Sequence, residues 1–289
     1  MRAAQSAERG MSLPELLIAM VIMAIVGASL VRLLVVQNRF FDHQLSLRSA
    51  RTVSRGALNL MLSDLRLVDA SGAPGDSLGL AAAAPRSLTL RVPYAMGLAC
   101  NSGANVTVTL VPLDTIMLNT AAFSGYAWRD TVAGKYHYVE AGAAVAASSP
   151  ANCAAGFTTI TGARVVAVSP VPAAGAAGAL SLGVPVILYQ RVKYDLANST
   201  TFPGKVALWR TLLTSGLTEE IAAPFDTSAV FKFFVQNTDT SQAAVPAQLS
   251  DVRGIDIVFN ALSERVAQGR TTAQQARATT AVFFKNRLN

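Results

Sequence analysis

Glu15 is the first residue whose chemistry stands out. It is a carboxylate at the mouth of residues 16–36, an apolar run interrupted only by small residues and Arg32. A charge left unpaired inside a bilayer costs on the order of a few kcal/mol, so an acid in that place predicts a counter-charge. Other reactive residue types are sparse. His43 and His137 are the only histidines, and neither stands in a His-Glu-x-x-His or other ligand spacing. There is no Gly-x-Ser-x-Gly elbow. Gly134-Lys135 lacks the upstream glycine of a phosphate loop, and no pair of acids stands out as a general acid and base. The sequence therefore predicts no enzyme, no cofactor and no metal. Cys100 and Cys153 are the two cysteines, with no Cys-x-x-Cys or mixed Cys/His spacing. Tyr126-Ala-Trp128-Arg129 through Lys135-Tyr136-His137-Tyr138 mixes aromatics with bases. Such a segment either stacks on nucleic-acid bases or sugars or packs across neighbouring strands.

The elements that must position these residues follow from periodicity. As a helix, residues 16–36 rise ~1.5 Å each and cross a hydrocarbon core of ~30 Å. Pro14 is acceptable there, because the first N–H groups of a helix have no intrahelical partner to lose. Arg32 lies near the far interface and can snorkel to it. Gly27 is tolerated in a lipid-facing helix or allows close helix contact. No proline occurs between Pro14 and Pro74, so the helix is expected to run on to about Val68. Leu47, Ala50, Ala57, Leu58, Met61, Leu62, Leu65 and Val68 form an apolar stripe for packing on a sheet. Arg48, Arg51 and Arg55 share another face, either solvated or turned to acidic side chains of a neighbour. Residues 69–75 are a stop signal.

Beyond the stop the period changes to two. Strands are expected at 87–92, 105–111, 135–140, 163–169, 184–195, 205–212, 229–236, 251–260 and 279–287. Ala/Gly/Pro-rich loops separate them, chiefly 141–156 and 170–183. One long helix followed by a run of strands implies an α+β fold, with the helix packed on an antiparallel β-sheet.

The N-terminal pattern resembles that of type IV prepilins and type II secretion pseudopilins. Gly10, Met11 and Glu15 stand where that family has the last leader residue, the first mature residue and its glutamate; Met11 replaces the commoner Phe, and Pro14 a commoner Leu or Ile. The resemblance implies a leader at residues 1–10, cut after Gly10 by a prepilin peptidase, and N-methylation of Met11. Residues 11–36 would be the transmembrane and filament-core half of the helix, 37–71 its periplasmic amphipathic half, and 72–289 a periplasmic β-rich domain. Glu15 of one subunit would meet the Met11 amine of its neighbour, each neutralising the other in a low-dielectric setting. That sets register during assembly. The implied partners are other pilin subunits, the prepilin peptidase and an inner-membrane assembly platform. The implied location is the inner membrane, single-pass, and then a pilus or pseudopilus filament.

The runs beginning at Val186, Val206, Leu217, Val230 and Leu249, with a last strand through Phe284, are similar in order to the PilW-type minor pilins and the J-type minor pseudopilins. That implies a minor subunit that helps initiate a filament. A DNA- or surface-binding pilin on the same scaffold is the alternative. A more remote one is a secreted domain, with Arg2 and Arg9 as the basic region of an ordinary signal peptide, 16–26 as its core and Val26-Gly27-Ala28 as the cleavage site. Against it, the apolar pattern continues through Val36, and Glu15 would have no reason to be where it is.

In the 289-residue chain, 52% of residues are hydrophobic and 14% charged, with a formal net charge of +7. That composition suits an exported protein with a membrane segment better than a cytosolic enzyme. Loss of Arg2, Glu8 and Arg9 with the leader leaves 22 basic and 16 acidic residues, a basic balance that favours anionic partners or simply solubility. In an oxidising periplasm Cys100 and Cys153 are either bonded to each other or separately buried thiols.

Overall fold

The structure, a computed structural model, describes residues 12–68, 79–102, 106–130, 136–159, 161–172, 180–235 and 238–284. It has the α+β layout expected: one long helix, then an antiparallel sheet. Helix α1 spans Leu13–Leu65, 53 residues, or ~80 Å at ~1.5 Å per residue. It ends at Leu65, short of Val68, where the Arg66 N–H turns back to the carbonyls of Leu62 and Asp64. Only its second half is covered. Ser46, Ala50, Ser54, Ala57, Leu58, Met61 and Leu65 are buried at helical spacing. The small residues at 46, 50, 54 and 57 let the helix axis approach the sheet closely.

The first strands are β1 (Leu80–Ala84), β2 (Ser87–Ser102) and β3 (Val106–Leu110). A one-and-a-half-turn helix, α2 (Pro112–Met117), leads into β4 (Gly125–Arg129), β5 (Tyr136–Val139), β6 (Ala144–Ser148) and β7 (Val165–Ser169). The second half contributes β8 (Pro185–Asn198), β9 (Val206–Leu212), β10 (Thr218–Phe225), β11 (Val230–Val235), β12 (Val252–Leu262) and β13 (Gln275–Phe283). The sheet runs β11-β12-β10-β9-β8-β2-β3-β7-β6, with β1 on β2, β13 on β12 and the β4–β5 pair on β8.

Two apolar clusters result. The first joins the buried face of α1 to Ile255, Ile257 and Phe259 of β12, Phe231 and Phe233 of β11, and Leu88, Leu90 and Val92 of β2; the helix itself packs chiefly on β13, β12 and β10. The second gathers Val106, Val108, Tyr126, Trp128, Val166, Val186 and Leu188 without the helix. Strands β2 and β8 run through both. A bulge between Pro93 and Ala95 sets Pro93 opposite Tyr189 and Ala95 opposite Leu188. The extra residue, Tyr94, moves the inward-facing set of β2 from even to odd positions, so both halves of the strand present apolar side chains to a core.

The strands depart from expectation in particular places. β2 does not stop at Val92: the bulge accommodates Pro93, which has no N–H for a ladder. Strands β1, β4, β6 and β10 were not expected, and β6 lies inside the stretch 141–156 read as a loop. β13 begins four residues earlier than the expected 279 and ends at Phe283. The expected helix stop at 69–75 lies outside the described residues.

Candidate functional site

Gly10 and Met11 lie outside the described residues. The first described turn is built around Glu15. Ser12 is the N-cap, Pro14 occupies the first turn, and Glu15 stands three residues after the cap. The Ser12 backbone N–H donates to Glu15 Oε2 at 3.1 Å, and the Ser12 hydroxyl donates to the same oxygen at 3.0 Å. This is the capping-box arrangement, in which a side chain at the third helical position satisfies the cap's own N–H. Both donors belong to Ser12, so a cut between residues 10 and 11 leaves them in place. Glu15 Oε1 makes no hydrogen bond among the described residues and is open to a further donor.

Behind this turn every residue of 16–36 is exposed. The first half of α1 is long and apolar enough to cross a membrane, and none of that window is buried against the domain. An exposed apolar surface of this extent is foreign to a water-soluble monomer. It is consistent with membrane anchoring.

Two polar ties lock the second half of α1 to the domain. Near its lower end Asp42 accepts from Arg265 at 3.1 Å and from the Gln268 backbone N–H at 2.6 Å. Near its upper end the Tyr194 hydroxyl donates to Asp64 at 2.6 Å, with Arg210 3.6 Å from the same carboxylate. The ties are separated by ~33 Å of helix, so the exposed half projects from the sheet as a rigid stem. Arg48, Arg51 and Arg55 are exposed on the helix and form no ion pair among the described residues. His43 is half-buried beside Asp42.

Cys100 of β2 and Cys153 form a disulfide with Cα atoms 4.8 Å apart. The joint is reinforced by the Ala154 N–H to the Cys100 carbonyl at 2.8 Å and by Asn101 Nδ2 to the Asn152 carbonyl at 2.9 Å.

The aromatic and basic segment is buried on β4 as far as Trp128 and half-buried on β5. Tyr126 and Trp128 belong to the second cluster and stack 5.8 Å apart. His137 stacks on Trp128 at 5.3 Å, with its Nε2 3.6 Å from Asp130. Arg91 lies 5.0 Å over the Tyr138 ring and pairs with Glu140, which also holds Arg191 at 2.6 Å. Lys135 lies outside the described residues. Among those residues no three His, Cys, Asp or Glu side chains cluster as metal ligands would.

Residues 5–31 match the family described as prokaryotic N-terminal methylation motif. The chain carries a type IV pilin-like signal. The match spans Gly10, Met11, Glu15 and the beginning of the exposed apolar stem. No curated protein and no solved structure matches the chain. A pilin-like signal of this kind implies handling by a prepilin peptidase and assembly with other pilin-like subunits.

Sequence reasoning missed Ser12, Asp42 and Asp64. Ser12 had a local signal, a Ser-x-x-Glu capping box ahead of an apolar run. The other two have partners more than a hundred residues away, which no local pattern encodes.

Proposed function

We propose that this chain is a PilW-like minor subunit of a type IV pilus-like filament, made as a single-pass inner-membrane precursor with its β-rich domain in the periplasm. It acts as a structural component and as a substrate of the prepilin peptidase; it carries no catalytic activity of its own. Gly10 marks the cut, Met11 becomes the methylated end, and Glu15 neutralises the Met11 amine of an adjacent subunit.

The observation that carries this reading is the join between the N-terminal methylation motif and a helix whose first half is wholly uncovered. The open Oε1 of Glu15 supports the same pairing. A carboxylate oriented by its own Ser12 accepts a neighbour's ammonium without first losing its local hydrogen bonds. The order of runs in the C-terminal half supports the minor-subunit assignment.

Mass spectrometry of the mature protein tests the precursor part. The expected first residue is an N-methylated Met11, and a start near Ser29 would instead assign the chain to ordinary signal peptidase. Glu15→Ala is expected to leave cleavage intact while strongly lowering incorporation into sheared filaments. Normal incorporation would remove the pairing mechanism. The minor role is tested by abundance in those filaments, where the chain should be far below the principal subunit.

A further inference from the structure

We propose that the loop between β12 and β13, together with the emerging turn of α1, is a lipid-headgroup-binding face that seats the domain on the bilayer. It would bind the phosphates of the leaflet from which α1 leaves the membrane. The inference rests on α1 spanning a membrane, and it goes beyond assembly.

Depth along the helix fixes the argument. If the hydrocarbon core ends near Val36, then residues 39–42 stand ~5–9 Å beyond it. A headgroup layer is ~5–8 Å thick on each side, so these residues lie within it. The β12–β13 loop is held at that level. Arg265 and the Gln268 N–H bind Asp42, and a side chain added at Gly269 would lie 3.5 Å from Arg39 Nε. The loop cannot stand off from the bilayer while those contacts hold.

The groups gathered there suit a phosphate-rich surface. Charged or titratable side chains at this level are Arg39, Asp42, His43, Glu264, Arg265 and Arg270. Asp42 is compensated by Arg265, whose side chain remains 72% exposed. Arg39 and Arg270 are exposed and form no ion pair among the described residues. Phe40 and Phe41 are exposed and meet edge-on at 6.2 Å, and Val266 is exposed on the loop. Basic residues reach the headgroups while exposed phenylalanines beside them add apolar surface at the headgroup–acyl boundary. The face is also continuous with the apolar stem, so no second docking event is needed.

The test uses the full chain reconstituted in phosphatidylcholine vesicles, in vesicles with added phosphatidylglycerol, and in neutral detergent micelles. Amide exchange over 264–272 is the readout. Protection should be lowest in micelles and highest in anionic vesicles, and should weaken with salt. Arg39→Gln and Arg270→Gln should each reduce it about fivefold, whereas Arg277→Gln on β13 should not. Equal exchange in all three environments would overturn the proposal. So would protection by inorganic phosphate in micelles, which would mean a free-anion site, or protection that arises only when other pilin subunits are added. Failure of the chain to be processed or to join filaments would overturn the proposed function but leave this result standing. A probe at Gly27 left unquenched by acyl-chain quenchers would show that α1 does not span, and the headgroup face would fall with it.

Discussion

Ser12 and Glu15 together decide how the stem begins. The serine supplies both donors to one carboxylate oxygen, so the helix starts in one conformation and the acid is pre-oriented. Ser12→Ala removes the hydroxyl donor and keeps the N–H. The expected cost is about 1 kcal/mol of local helix stability, read in detergent as several-fold faster exchange at Leu16, the first amide bonded within the helix, and at the amides just after it, with the domain unaffected. Glu15→Ala removes both bonds and should have the larger effect; an unchanged first turn in both variants would mean that the cap plays no part. Glu15 was legible in the sequence because a carboxylate at the mouth of an apolar run breaks its own pattern. Tyr194, by contrast, reads as an ordinary aromatic in a strand, and only the fold brings its hydroxyl to Asp64.

At the level of elements, two glycines separate what packing demands from what it merely tolerates. A side chain built on Gly97 of β2 would lie 2.4 Å from the Thr109 carbonyl oxygen and 2.7 Å from Val108 Cγ1. Gly97→Ala must therefore push β2 and β3 apart, at a cost of about 1–3 kcal/mol. Gly56 on α1 has nothing within 4 Å of the same position. Gly56→Ala should be stabilising, by up to about 1 kcal/mol, because alanine favours the helix. Denaturant midpoints of the two variants should move in opposite directions. The elements that escaped the sequence reading did so for related reasons. Strands β1 and β6 are mostly alanine, which carries no strand preference; each forms because a neighbouring strand, β2 or β7, offers a ladder. Strand β10 contains Glu219, Glu220 and Pro224, which argue against a strand, yet β9 holds it. Its Glu220 is no burden there: burial would raise the carboxyl, but hydrogen bonds from Ser199 and Thr200 outweigh this and hold it below its ordinary range. The long helix was legible throughout, because its signals are local: length, the absence of proline and a stripe at helical spacing.

Across the whole molecule, the two apolar clusters have different supports. The first is braced by α1; the second lacks the helix, and the disulfide ties β2, which runs through it, to Cys153, 53 residues on. In the chain-entropy account such a bridge contributes about 4 kcal/mol. Reduction should speed amide exchange in β3, β6 and β7 while leaving β12, β13 and the second half of α1 protected, and uniform loosening would mean that the clusters unfold as one. Alkali tests both clusters at once. Burial pushes the Tyr126 phenol up to about 12. Tyr94 is raised further by burial alone, Tyr189 by burial and then the Glu140 charge, and Tyr194 by burial and then the Asp64 charge. In the unfolded chain a tyrosine releases its proton near pH ~10. Above that pH the unfolded state binds fewer protons than the folded one, so stability must fall as pH rises. The contribution of these four phenols is complete below pH ~10 and is lost progressively as pH climbs through their folded values. Denaturant midpoints should therefore hold steady between about pH 7 and 9 and drop steeply beyond ~10, with tyrosinate absorbance in the folded protein lagging behind that of the unfolded chain. If all six tyrosines ionised together near ~10 with no loss of stability, the phenols of Tyr126 and Tyr194 would not be the buried, hydrogen-bonded groups on which the two clusters close.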